Sequence, residues 1–76
     1  MGDAQRINRI SNKIREINAT IEALKEQKYD LQFEMRDSEG EEFFEFIQEI
    51  AEIDQAIWDL KVEKNRLTNI LQLSNI

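Results

Sequence analysis

The chain has 76 residues, with 10 basic and 16 acidic side chains and no histidine, cysteine or proline. A chain this short forms one domain at most, and its composition excludes disulfides and the usual nitrogen and sulfur metal ligands. The net charge of −6 argues against a general binder of nucleic acid or anionic membranes. We therefore expect its stability to come from regular helix packing, most easily doubled by self-association.

A stripe with alternating steps of three and four runs through the first half of the chain. Its members are Ile7, Ile10, Ile14, Ile17, Ile21, Leu24, Lys28, Leu31 and Met35. This spacing is typical of a coiled-coil seam, with the residues at heptad positions a and d and Ile7 at a. It predicts a first helix over about residues 3–37.

A break is predicted around Gly40. Glycine costs about 1 kcal/mol in a helix interior relative to alanine, and Ser38 followed by Glu41 matches the capping-box pattern of a helix start. The heptad pattern also restarts one residue late, at Phe43 instead of residue 42. We therefore place a turn at about residues 38–40.

The second stripe repeats the spacing of the first and predicts a helix over about residues 41–74. Its members are Phe43, Phe46, Ile50, Ile53, Ile57, Leu60, Lys64, Leu67 and Leu71. Lys28 and Lys64 each occupy an a position, where a lysine lowers stability but fixes register and extends its ammonium to the helix edge.

The charge distribution decides between a hairpin and one continuous helix of roughly 110 Å. Residues 1–28 carry six basic and four acidic side chains, a net of +2; residues 29–59 carry one and eleven, a net of −10; residues 60–76 carry three and one, again +2. A straight two-stranded coil would hold the acidic middles side by side, whereas a hairpin gathers them at its tip, away from a basic open end. We predict an all-α antiparallel helical hairpin over residues 1–76. A second copy, packed tip against open end, would complete a four-helix bundle.

In the preferred register, the numbers of facing seam residues sum to 81, so that Lys28 faces Ile53. The flanking pairs that this register predicts are Lys25 with Asp54, Thr20 with Glu63, and Glu34 with Glu49. A register one heptad shorter would leave Leu71 without a partner.

Several apolar residues lie off the seam, and exposed apolar patches mark association sites. They are Tyr29, Phe33, Phe44, Ile47, Ala51, Trp58 and Val62. We interpret them as the second seam of a bundle formed by two copies. The alternatives are docking onto a different protein, with Trp58 and Tyr29 as anchors, and a small-molecule pocket.

Charged side chains of opposite sign collect at the two ends of the predicted rod. The acidic tip comprises Glu39, Glu41, Glu42, Glu45 and Glu49, and the basic open end comprises Arg6, Arg9, Lys13 and Arg66. Acidic residues at a helix start offset the macrodipole, and the basic residues are interpreted as a solvated surface or as the partner of another chain's tip. The alternatives are a basic partner that the tip attracts by mimicking nucleic acid, and an anionic ligand at the open end. The turn lacks the spacing of a calcium loop, so no metal is expected.

The sequence offers no nucleophile paired with a base, no phosphate-binding loop and no buried carboxylate pair, so we expect neither an enzyme nor a cofactor. We expect a small acidic protein–protein interaction module (an adaptor, assembly factor or inhibitor) that acts as a homo-oligomer. The alternative is an anti-defence or regulatory protein that binds nucleotides or nucleic acid, or mimics nucleic acid.

With no apolar targeting segment or membrane-length apolar window, a cytoplasmic location and no membrane partner are expected. The abundance of Ile, Asn, Glu and Lys motivates the hypothesis of an AT-rich phage or mobile-element origin, which the base content of the coding DNA tests.

Overall fold

The protein is a rod of two helices, seen in a computed structural model that describes residues 2–74 and, for side chains, residues 4–74. Helix α1 spans Gly2–Met35 and helix α2 spans Glu41–Ser74, each of 34 residues. They pack against each other as an antiparallel hairpin measuring 58 × 15 × 14 Å. The predicted all-helical hairpin is confirmed and the single continuous helix is excluded. Helix α1 ends two residues before the predicted boundary, whereas α2 has the predicted bounds.

The buried core is narrow and lies along the predicted seam. It consists of Ile17, Ile21, Ile53, Ile57 and Leu67, which are 4–9% exposed. The partly buried residues packed against it are Ile10, Ile14, Leu24, Leu31, Leu60 and Ile70. All of these except Ile70 occupy the predicted a and d positions. Burying an aliphatic side chain stabilises by about 1.5–3 kcal/mol, so a core this small leaves a two-helix rod only marginally stable.

One ion pair between the helices reports their register. The Lys28 ammonium lies 2.7 Å from the Asp54 carboxylate, and Asp54 is the neighbour of Ile53, the residue expected to face Lys28. The register one heptad shorter would place Lys28 opposite Phe46, about 12 Å along the helix from Asp54. The ion pair therefore agrees with the preferred register.

The predicted Lys25–Asp54 pair is wrong, and Thr20 makes no hydrogen bond to Glu63, because Lys25 and Thr20 each bond to a residue of α1 instead. Lys25 pairs with Glu22 at 3.5 Å instead of with Asp54, which Lys28 reaches first. The Thr20 hydroxyl donates to the backbone carbonyl of Glu16 at 3.0 Å, and the predicted partner Glu63 instead accepts a hydrogen bond from Arg66. The Glu34–Glu49 repulsion stays a prediction.

The turn between the two helices is formed by a tightened last turn of α1 and by Gly40. Backbone N–H groups of residues 36–38 donate to carbonyls three residues earlier, which tightens the last turn of the helix. The Ser38 hydroxyl also donates to the Met35 carbonyl at 2.8 Å. Gly40 has φ +64°, a left-handed conformation that glycine adopts without strain, and its carbonyl accepts the first α2 hydrogen bond, from Phe44 N–H. The capping-box prediction is therefore wrong: Ser38 satisfies the end of α1, and Gly40 caps the start of α2.

Candidate protein-interaction surfaces

The hairpin presents two different sides next to its seam. In a helix with a and d in the seam, side chains at e and b project to one side and those at g and c to the other. The Lys28–Asp54 ion pair marks the first side, because Asp54 occupies an e position. A groove that brings together Gln27, Glu49 and Ala56, all at g positions, marks the second.

The first side carries most of the off-seam apolar residues, and we call it the aromatic side. Its members are Tyr29, Phe44, Ile47, Ala51 and Trp58. The three rings are 63–69% exposed, and Ile47 is 42% exposed. All five residues lie in the half of the rod nearer the tip, so the exposed rings of this side are confined to that half.

Phe33 and Val62, which belong to the predicted association set, are exposed at f positions on the outer ridges of the two helices. The Arg36 guanidinium lies 5.7 Å from the centre of the Phe33 ring, within range of a cation–π interaction. The structure therefore separates these two residues from the five on the aromatic side.

The area exposed by the three rings can be compared with the area that each partner buries in a stable protein interface. A buried aromatic side chain hides about 150–250 Å², so three rings that are about two-thirds exposed present roughly 300–500 Å². A stable interface buries about 800 Å² on each partner. The three rings alone would supply about half of such an interface.

The second side, which we call the acidic side, gathers the carboxylates of the tip half. Its members are Asp30, Glu34, Glu42, Glu45, Glu49, Glu52 and Asp59, all at g or c positions. All seven are exposed, and no basic residue between residues 29 and 59 occupies a g or c position. By contrast, the only carboxylate of residues 29–59 on the aromatic side is Asp54, which Lys28 neutralises. Seven of the eleven carboxylates of residues 29–59 therefore lie on the side opposite the exposed rings.

The predicted acidic tip is distributed around the start of α2 rather than concentrated in one cluster. Glu42, Glu45 and Glu49 lie on the acidic side, Glu41 lies at an f position, and Glu39 precedes the helix. Glu41 and Glu42 occupy the first turn of α2, where a negative charge interacts favourably with the helix dipole.

An open groove of about 390 Å³ crosses the acidic side between the two helices. Its floor is formed by the apolar side chains of Leu24, Leu31 and Ile53. Its rim is formed by Gln27, Glu49, Glu52 and Ala56. This groove is not among the sites predicted from the sequence. The signal available was the small residue Ala56 at a g position, directly beside the seam, flanked by carboxylates.

At the predicted basic open end, one of the four basic side chains is already hydrogen-bonded within the chain. Arg6, Arg9 and Lys13 are exposed, whereas Arg66 donates to Glu63 at 2.8 Å. This hydrogen bond and the negative charge of Glu63 raise the pKa of the Arg66 guanidinium above its usual value. Leu73, which is 70% exposed near the same end, was also absent from the predicted association residues.

The described residues bring no three potential metal-ligating carboxylates together. Over residues 2–74, neither helix combines the length and the apolar character needed to cross a membrane. In comparisons with protein-family models, curated proteins and solved structures, nothing matches this chain.

Proposed function

We propose that this protein is a protein–protein interaction module that associates with a second copy through its aromatic side. The observation that carries this proposal is the exposure of Tyr29, Phe44 and Trp58 on one face. Exposed rings grouped on one side of a helical rod are typical of an association surface, and Trp and Tyr are frequent anchors of protein interfaces.

The choice of a second copy as the partner follows from the size of the core. Within residues 4–74, five residues are buried and no side chain is less than 2% exposed. A rod of this kind gains much of its stability from whatever covers its free apolar side. A second copy is present whenever the chain is made, so it meets this need without depending on another protein.

The spacing of the aromatic side suits an antiparallel pair. Phe44, Ala51 and Trp58 occupy successive b positions, so Phe44 and Trp58 lie seven residues on either side of Ala51. A two-fold axis beside Ala51 would bring Phe44 of each copy to Trp58 of its partner, and the small alanine would allow close approach of the helices. The two tip halves would overlap, whereas charge alone predicted that each tip would reach the partner's open end.

The repulsion between two acidic tips does not oppose this overlap strongly. The acidic side of each copy would face outward, because it lies on the opposite side of the seam from the exposed rings. The product is a four-helix bundle with an apolar centre and two acidic outer surfaces. Such a particle can serve as an adaptor, assembly factor or inhibitor, the class of function expected from the sequence.

A symmetric disulfide tests the pairing, because the chain has no cysteine of its own. We expect Ala51→Cys to form a covalent dimer under mild oxidation, since a disulfide requires Cα atoms closer than about 7 Å. Ala23→Cys is the matched control, an exposed alanine at a c position on the other side of the seam. Equal cross-linking of the two variants, or none for Ala51→Cys, would contradict the proposed axis.

A further inference from the structure

The groove on the acidic side combines an apolar floor with a rim that carries two carboxylates. The floor residues Leu24, Leu31 and Ile53 present apolar surface. The rim residues Glu49 and Glu52 lie one helical turn apart, so that their carboxylates are neighbours on the helix surface. An apolar stem that ends in a cation matches both features.

No positive charge of the described chain already occupies this position. Within residues 4–74, the ion pairs join Lys25 to Glu22, Lys28 to Asp54 and Arg66 to Glu63, so Glu49 and Glu52 take part in none. Asp30, Glu34 and Glu45 share the same side, and their field adds to that of the rim.

We propose that this groove binds an arginine side chain presented by a basic segment of a different protein. The methylene stem would pack on Leu24, Leu31 and Ile53. The guanidinium would donate to Glu49 and Glu52, because its planar set of five donors matches two neighbouring carboxylates and it is less strongly hydrated than an ammonium. Gln27 offers an amide oxygen as a further acceptor.

This inference goes beyond the self-association proposed above and does not depend on it. The groove and the exposed rings lie on opposite sides of the seam, so both surfaces are available in the proposed dimer. A dimer would carry two such grooves on its outer surfaces, and a partner with repeated basic segments would bind it with increased avidity.

The test uses a short synthetic helical peptide of alanine and arginine, together with its lysine counterpart, added to the full chain. We expect the arginine peptide to shift the backbone amide resonances of residues 27, 49, 52 and 56, and to bind at least about threefold more tightly than the lysine peptide. The fluorescence of Trp58, the only tryptophan, should not change, because it lies on the aromatic side.

Two variants separate the groove from general attraction to an acidic protein. We expect Glu49→Gln with Glu52→Gln to weaken binding at least about tenfold, since both charge-assisted hydrogen bonds are lost. The control, Glu16→Gln with Glu39→Gln, makes the same change in net charge on exposed carboxylates outside the two stretches that line the groove and should change affinity less than about threefold. Ala56→Leu, which fills the groove without a change in charge, should also weaken binding about tenfold.

Several results would overturn the assignment. They are equal weakening by the two carboxylate double variants, wild-type binding by Ala56→Leu, a shift of Trp58 emission, and no peptide binding at all. Self-association that persists without the exposed rings but is lost in the Glu49 and Glu52 variant would assign the groove to a second copy instead. Sedimentation of each variant reports dimerisation separately, so failure here leaves the proposed function standing.

Discussion

The aromatic side and the acidic side are built on the same two helices and flank the same seam, yet they present opposite chemistry to solvent. The aromatic side exposes three rings and holds its one tip-half carboxylate in an ion pair with Lys28. The acidic side exposes seven carboxylates over the same length of rod. We therefore expect the residues at e and b to support the proposed association, and those at g and c to face solvent and attract cationic groups.

The largest expected effect comes from removing a ring from the aromatic side. Trp58→Ala or Phe44→Ala should weaken dimerisation by about 2–4 kcal/mol, because full burial of a large side chain contributes about 1.5–3 kcal/mol, about two-thirds of each ring is exposed in the hairpin, and each substitution occurs twice in a symmetric dimer. Isothermal dilution calorimetry measures the dissociation constant. The matched control is Leu73→Ala, an equally exposed apolar residue outside the aromatic side. If all three substitutions change the dissociation constant equally, the aromatic side contributes no more to dimerisation than the rest of the surface.

A smaller effect is expected at the turn, which belongs to neither side. Gly40→Ala should lower the free energy of unfolding by about 1 kcal/mol, because alanine is strained at φ +64°. A Cβ there would meet no other atom within 4 Å, so the cost comes from the backbone alone. Chemical denaturation measures it, and Gly40→Asn should cost less because asparagine tolerates this conformation. A cost for asparagine as large as that for alanine would point to another cause.

The ion pair on the aromatic side gives the next prediction. Asp54→Asn should destabilise the hairpin by less than about 1 kcal/mol, since the carboxylate is half exposed and the pair is screened by water. Urea denaturation at low and high salt measures the change, and the difference from wild type should shrink as the salt concentration rises. A loss that does not depend on salt would show that Asp54 acts through packing.

The smallest expected effect compares the two sides directly. Replacing a carboxylate by an amide should change the free energy of unfolding in opposite directions on the acidic side and on the aromatic side. Glu45 and Glu49 lie one turn apart with like charges, an arrangement that destabilises a helix by about 0.2–0.5 kcal/mol. Glu49→Gln should therefore raise the free energy of unfolding by about 0.3 kcal/mol, whereas Asp54→Asn should lower it. Parallel denaturation curves compare the two. A loss of stability in both variants would show that the acidic side is not under repulsive strain.

Much of the fold could be predicted from the sequence, because a heptad pattern specifies both the helix and the direction of its buried face. The core residues Ile17, Ile21, Ile53 and Ile57 follow from spacing alone, and the break at Gly40 follows from the restarted spacing together with the low helix propensity of glycine. The roles of Ser38 and Lys25 were not predictable in this way. Several partners lay within reach of each side chain, and local geometry selected among them.

The surfaces were only partly predictable for a related reason. Exposed rings at Phe44 and Trp58 follow from their positions off the seam, but the groove depends on how Ala56 and its neighbours pack between two helices. Heptad letters at g and c would have indicated that the carboxylates share one side, and the e and b letters would have separated Tyr29 from Phe33. A cavity between helices requires the coordinates.

Sedimentation equilibrium of the unmodified chain tests the central claim most directly. We predict a dimer with twice the 9.0 kDa chain mass at micromolar concentration, and a monomer when Phe44 and Trp58 are both replaced by alanine. A wild-type chain that sediments as a 9.0 kDa monomer, or a double variant that remains a tight dimer, would contradict association through the aromatic side.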